Sequence, residues 1–386
     1  LRINWKGSAL TTLAAGLIGL SIACGSTGGG SSATSTPAAS GGTTTAATAA
    51  AGIAANIGKD DKASITGAGA TFPAAIYQAW FDEYNKSVAK GVQINYQSIG
   101  SGGGIQQFTE KTVEFGASDA PMSNEELAKA PDAVHVPTVI GSVVMAYNLP
   151  GVTKLQLDAD TISAIYLGNI KKWNDPKIAA LNSGVKLPDA DIQVAYRSDG
   201  SGTTFVFTDY LTQVSTDWKT KVGTSKNPNW PVGQGGKGNE GVANVVKQTV
   251  NSIGYIELQY SMTNKISFAD VKNKSGKFVT ASIAATAAAA VGSTLPPDYR
   301  GSIVNADGAD AYPIASFTYL LIHKDTASCD KQAPLVRTMW WMYHDKTAQK
   351  LASELFFAPL PEAVAARVDT TLKSFTCGGK AILPAS

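Results

Sequence analysis

Charge is scarce in this chain. Lysine, arginine, aspartate and glutamate make up 16% of the 386 residues, against about 25% in an average soluble domain. The 32 basic and 30 acidic residues leave a net +2. Arg2 and Lys6 supply that excess, so from Cys24 onward the chain carries 30 of each sign. No basic field remains to track a phosphodiester backbone, which argues against a nucleic-acid partner. Histidine is limited to His135, His323 and His344, without metal-ligand spacing and with none close in sequence to a candidate nucleophile. Neither a zinc site nor histidine-based catalysis follows from them. What the chain does have is a 44% apolar content and a length sufficient for roughly two domains with a sizeable core.

Arg2 and Lys6 precede an apolar run, "ALTTLAAGLIGLSIA" (Ala9 to Ala23), that stops at Cys24. It is too short to span a membrane and reads as an export signal covering residues 1–24. The small residues of "SIAC" fit a lipoprotein processing site with lipidation at Cys24, although Ser21 stands where that pattern usually has leucine; ordinary secretion with cleavage nearby is the alternative. Residues 25–60, rich in Gly, Ser, Thr and Ala, bury too little surface to offset ordering entropy and read as a flexible tether. Cys329 and Cys377 lie in an exported chain, where an intramolecular disulfide is favoured over two buried thiols.

From Ser64 onward short apolar runs alternate with amphipathic stretches. Strands are predicted at 92–97, 113–118, 143–149, 192–197, 253–258 and 317–323. Helices are predicted after Pro73 and at 102–110, 160–166, 203–214, 239–250, 333–350 and 361–373. That alternation predicts an α/β architecture with helix-flanked sheets.

Three segments share one pattern, a turn of small residues feeding a helix: "TGAGATFPAAIY" (Thr66 to Tyr77), "SIGSGGGIQQF" (Ser98 to Phe108) and "RSDGSGTTFVF" (Arg197 to Phe207). Helix N-termini leave amides unpaired and carry partial positive charge, so each turn is either an anion seat or an ordinary cap. Hydroxyls at Thr71, Ser101, Ser201 and Thr203 stand at these helix starts. Arg197 ends a predicted strand and offers two parallel donors to an oxyanion, with Asp199 close enough to pair with it. Asp119, in "FGASDAPMS", ends another strand and reads either as a turn cap or as a functional acceptor. Nucleotide loops fail on inspection: in "PVGQGGKGN" Gly238 follows Lys237 where Ser or Thr is required, leaving Lys237 as a solvated charge. Ser201 lacks a nucleophile-elbow context.

These motifs resemble a known family, the substrate-binding lipoproteins of bacterial ABC phosphate importers. The resemblance runs over nearly all of residues 64–376 and includes "IYLGNIKKWND", "WPVGQGGKGNEG", "IGYIE" and "LLIHKD". It implies a two-lobed periplasmic-binding fold of type II, with lobe one formed by 61–138 plus 316–386, lobe two by 139–315, and hinge closure over a ligand in the cleft. It implies phosphate contacts at Thr71, Phe72, Ser101, Asp119, Arg197, Ser201, Gly202 and Thr203, with Asp199 as the acid paired to Arg197. It further implies no enzyme activity, no cofactor and no metal, a monomer, and delivery of phosphate to a membrane permease complex. The stretch 281–291 and the two late cysteines lie outside the family pattern. A phosphate sensor or scavenger without a transporter, or a phosphoesterase using Ser201 as nucleophile, are the alternatives. On the importer reading, Asp119 accepts the proton that phosphate carries and sulfate lacks.

Overall fold

Strand-to-helix units follow one another along the chain, as the alternating pattern predicts. The computed structural model describes residues 56–384, positions 294 and 327 excepted. β1 (Lys62–Gly69) leads into α1 (Ala74–Ser87), β2 (Gly91–Ser98) into α2 (Ser101–Thr109), and β3 (Phe115–Ser118) ends at Asp119. α1 buries Ile76, Tyr77, Trp80, Phe81 and Tyr84, the stripe that three- and four-residue spacing sets up. Burial of a ring such as Phe81 contributes about 1.5–3 kcal/mol. The polar end of Trp80 is also satisfied, its Nε1–H donating to the Ala348 carbonyl at 2.7 Å.

The long strand β4 (Ala133–Asn148) comes next, then β5 (Gln193–Arg197) with α3 (Gly202–Val214), β6 (Gln234–Gly236) with α4 (Gly238–Gln248), and β7 (Ser252–Glu257). Finally β8 (Ala315–His323) precedes α5 (Cys329–His344). The main sheet runs β2-β1-β3-β8-β4-β7-β5-β6. Pairing is parallel for β1 with β2 and β3, and for β5 with β6 and β7. It is antiparallel where β8 meets β3 and β4 and where β4 meets β7.

β4 joins two lobes. Its residues 133–142 pair with β8, whereas Val143–Asn148 pair with β7, so the partner changes between Ser142 and Val143. The strand begins ten residues before the run predicted at 143–149 because Pro137 and Gly141 interrupt the sequence signal. A bulge accommodates Pro137: Tyr319 pairs with Pro137 and Thr318 with Val139, leaving Thr138 extra. Thr138 is nonetheless anchored, donating to the Thr318 carbonyl at 3.2 Å and pairing with the Tyr77 hydroxyl at 2.8 Å. At Gly141 any Cβ would strike the Phe72 ring, so this strand position needs glycine for close packing.

Two further differences from the sequence reading have local causes. The single helix predicted over 333–350 is two, α5 and Lys346–Glu354, because Asp345 caps the second by accepting from the Thr347 amide at 2.7 Å. The Ala-rich stretch forms the helix Ile283–Ala290, and Thr286 Oγ1 on it hydrogen-bonds Ser142 Oγ at 2.7 Å. Cys329 and Cys377 form a disulfide, Cα atoms 5.4 Å apart, tying the start of α5 to the segment Thr376–Cys377. Among the described residues no helix is long and apolar enough to cross a membrane. The expected export signal, Cys24 and most of the expected tether lie outside the described residues.

Candidate functional site

The turns after β1, β2 and β3 and those after β5 and β6 meet between the lobes: parallel pairing brings the carboxyl ends within each set to one edge, and the antiparallel links through β8, β4 and β7 aim the two sets at each other. Six polar side chains from four of these turns are almost wholly buried there: Thr71 and Asp119 at 1% exposure, Arg197 at 1%, and Ser101, Ser201 and Thr203 at 0%. The lobes are held together around them. Gly102 N–H donates to the Gly200 carbonyl at 2.8 Å, Tyr260 Oη to the Thr71 carbonyl at 2.5 Å, and Lys226 forms an ion pair with Glu126.

Arg197 is committed to Asp199 on one side. Its Nε and Nη2 donate to the two Asp199 carboxylate oxygens at 2.8 and 2.6 Å, a bidentate geometry. Asp199 Oδ1 also accepts from the Gly238 amide at 3.0 Å. Burial works against the Asp199 charge, but the hydrogen bonds and charge of Arg197 overcome it and hold this carboxyl below its ordinary range. Arg197 Nη1 donates to Thr203 Oγ1 at 3.2 Å. Two of its five N–H groups are left over for other acceptors.

Asp119 has a different setting. Its Oδ1 accepts from Thr318 Oγ1 at 2.8 Å, and Oδ2 is buried with no hydrogen-bond partner in the protein. Burial pushes its carboxyl up from 3.8 to about 7, opposed by the Thr318 hydrogen bond and the Arg197 charge. Across the cleft, Gly202 closes over Oδ2 so tightly that a Cβ there would collide with Ser101 Oγ and the Asp119 carboxyl. Phe72 lies buried beside these groups, its ring 6.2 Å from that of Phe357.

The four hydroxyls share one polarity. Thr71 Oγ1 accepts from the Asn239 backbone and side-chain amides at 3.1 and 2.8 Å. Thr203 Oγ1 accepts from Arg197 and, at 3.0 Å, from Asn239 Nδ2. Ser101 Oγ accepts from the Asp119 amide at 3.3 Å, and Ser201 Oγ from the Thr204 amide at 3.0 Å. Among the described residues none of the four donates to a protein acceptor, nor do the amides of Phe72, Gly202 and Thr203. The arrangement is therefore a cradle of donors facing an unpaired acceptor, Asp119 Oδ2.

The comparisons with known proteins agree on one family. The model of the PBP superfamily domain matches residues 32–352. The phosphate-binding protein PstS of Pasteurella multocida is 43% identical over 315 residues, covering 81% of this chain and 90% of that protein. The PstS protein of Haemophilus influenzae is 42% identical over 315 residues, covering 81% and 93%. The chain belongs to the PstS family of phosphate-binding proteins. This is a family of binding proteins, not enzymes. A solved phosphate-bound periplasmic phosphate-binding protein, PfluDING, shares the two-lobed fold with a TM-score of 0.65 at 22% identity, covering 80% of this chain and 93% of that one.

The residues weighed for other chemistry each have a place in the fold. Ser201, the nucleophile of the phosphoesterase alternative, is the N-cap of α3. His135 Nε2 accepts from the Met122 amide at 3.0 Å, His323 pairs with Asp132 and His344 with Asp369. Lys237 is exposed, as its solvated-charge reading requires. Sequence reasoning missed Asn239 and Thr318. Asn239 carried a usable signal, since "GQGGKGN" is a fourth small-residue turn feeding a helix. Thr318 sits mid-strand in β8 and carried none.

Proposed function

We propose that this protein binds inorganic phosphate outside the cytoplasm and delivers it to an ABC transporter for import. The observation that carries the proposal is the polarity of the cleft: four buried hydroxyls that only accept within the protein, set beside a buried carboxylate oxygen without a partner. A monoprotonated tetrahedral oxyanion complements that set, accepting from hydroxyls, amides and Arg197 while donating its one proton to Asp119. The PstS relatives, named for phosphate binding, support the same ligand. Thr71, Phe72, Ser101, Asp119, Arg197, Ser201, Gly202 and Thr203 are the proposed contacts, with Asp199 neutralising and aiming Arg197.

Lobe one comprises 61–138 and 316–386 and lobe two 139–315, an assignment supported by the change of β4 partner near Ser142. Closure about β4 and β8 brings the two sets of donors onto one anion, so ligand shifts the population toward the closed form that a permease complex recognises. The protein acts as a monomer, held to the membrane through lipid on Cys24; replacing Cys24 with serine should release it from the membrane fraction, and retention there would refute the anchor. Calorimetry of the purified chain with phosphate, arsenate and sulfate tests the ligand. Tight phosphate binding with sulfate at least a thousandfold weaker, about 4 kcal/mol, is expected; equal affinities would overturn the proposal.

A further inference from the structure

Asn239 is a completely buried polar residue in the first turn of α4, and none of the contacts proposed above includes it. Its orientation is fixed at one end, where Oδ1 accepts from the Glu257 amide at 2.9 Å. Nδ2 must then be the atom that faces the cleft, and it donates to Thr71 Oγ1 at 2.8 Å and Thr203 Oγ1 at 3.0 Å. Those two hydroxyls come from opposite lobes, Thr71 after β1 and Thr203 in α3.

A hydroxyl has one proton and two lone pairs. Thr71 Oγ1 already accepts two hydrogens, from the Asn239 backbone amide and Nδ2. Thr203 Oγ1 also accepts two, from Arg197 Nη1 and Asn239 Nδ2. With both lone pairs taken, each oxygen can only donate its remaining hydrogen. We infer that Asn239 is a positioning residue that makes Thr71 and Thr203 obligate donors to the bound oxyanion, and that its bonds to Thr71 form as the lobes close. This inference rests on the reading of the cleft as a phosphate seat. Asn239 thereby contributes twice, by fixing the polarity of Thr203 within its own lobe in advance and by setting that of Thr71 as it bridges the closing lobes.

Two substitutions separate this role from simple packing. Asn239→Ala frees both hydroxyls to rotate. Asn239→Asp keeps the size and the acceptor for the Glu257 amide but replaces the Nδ2 donor with an oxygen, so both hydroxyls turn toward it and present lone pairs to the anion. Phosphate affinity is measured by calorimetry on the full chain, for both variants in the native background and in a Thr71→Val, Thr203→Val background. Native protein should bind phosphate, N239A about tenfold more weakly and N239D about a hundredfold more weakly. In the double-valine background N239A should cost less than about threefold, because the hydroxyls through which it acts are gone. The residual affinity of N239D should rise from about pH 8 to about pH 6, since a second ligand proton suits hydroxyls that now accept. Equal losses for N239A in both backgrounds would overturn the inference. So would N239D binding as tightly as native protein, a comparison that stands even if N239A fails to fold. Failure of the native chain to bind phosphate would instead remove the functional reading beneath it.

Discussion

On the β5 side of the cleft, Asp199 takes two guanidinium hydrogens from Arg197 and one amide from Gly238. On the β3 side, Asp119 takes one hydroxyl and leaves its second oxygen without a protein partner. The first carboxylate is held below its ordinary pKa range, and the second is pushed up to about 7 by burial. Partnering accounts for the difference, because desolvation acts against the charge of both. Asp199 cancels the arginine, so on the proposed function the cleft would hold its anion without surplus cation, in keeping with a chain that is balanced after Cys24. On the same proposal, Asp119 is the group that reads the ligand for a proton.

Breaking the paired side should have the largest effect. Arg197→Ala removes two free N–H groups and strands Asp199 next to the anion, so phosphate affinity measured by calorimetry should fall about a thousandfold, in the range of a buried charge pair cut at one partner. A fall of less than tenfold would mean that the guanidinium is not a ligand group.

His135 is a buried base in the same lobe as Asp119. Burial pushes His135 down to about 4, the opposite direction from Asp119 and for the same reason. A group neutral in the fold and chargeable at its ordinary 6.5 when unfolded contributes stability that is intact above about pH 6.5 and lost as pH falls toward about 4. The loss over that window is roughly 3 kcal/mol. Urea unfolding at stepped pH should show it, and His135→Gln should flatten that part of the curve; an unchanged slope would contradict the assignment.

Sulfate brings no proton, so Asp119 must supply one before its Oδ2 can face a sulfate oxygen. Sulfate affinity should therefore climb by up to about tenfold per unit as pH falls toward about 7, where Asp119 takes its proton, and level off below that, while phosphate affinity changes far less. The smallest effect is expected for Asp199→Asn, under about tenfold on phosphate affinity, because lost anchoring of Arg197 and gained net positive charge offset each other. A hundredfold change in either direction would show that one of the two dominates.

Much of this site was legible in the sequence because its donors sit on short local patterns. Three Gly/Ser/Thr turns, Arg197 two residues before Asp199, and Asp119 at a strand end can each be read within a dozen residues. Asn239 could be seen as one more turn, but its bonds to Thr71 span 168 positions and its role exists only across the lobes. The same limit applies to Thr318, which meets Asp119 from 199 residues away. In the fold, β4 was legible only in its second half, since Pro137 and Gly141 hide the first. Their bulge and close packing become visible only with β8 and Phe72 in place.

On the proposed function, the unpaired Asp119 oxygen in its donor cradle tells a protonated oxyanion from an unprotonated one. Its most direct test is the ratio of phosphate to sulfate affinity at about pH 8 for the native protein and for Asp119→Asn, whose amide can turn a donor toward sulfate. Native selectivity of about 10⁴ or more should collapse to within about a hundredfold in the variant, as expected when a site loses the group that reads a ligand proton. Selectivity that survives the substitution undiminished would contradict the account.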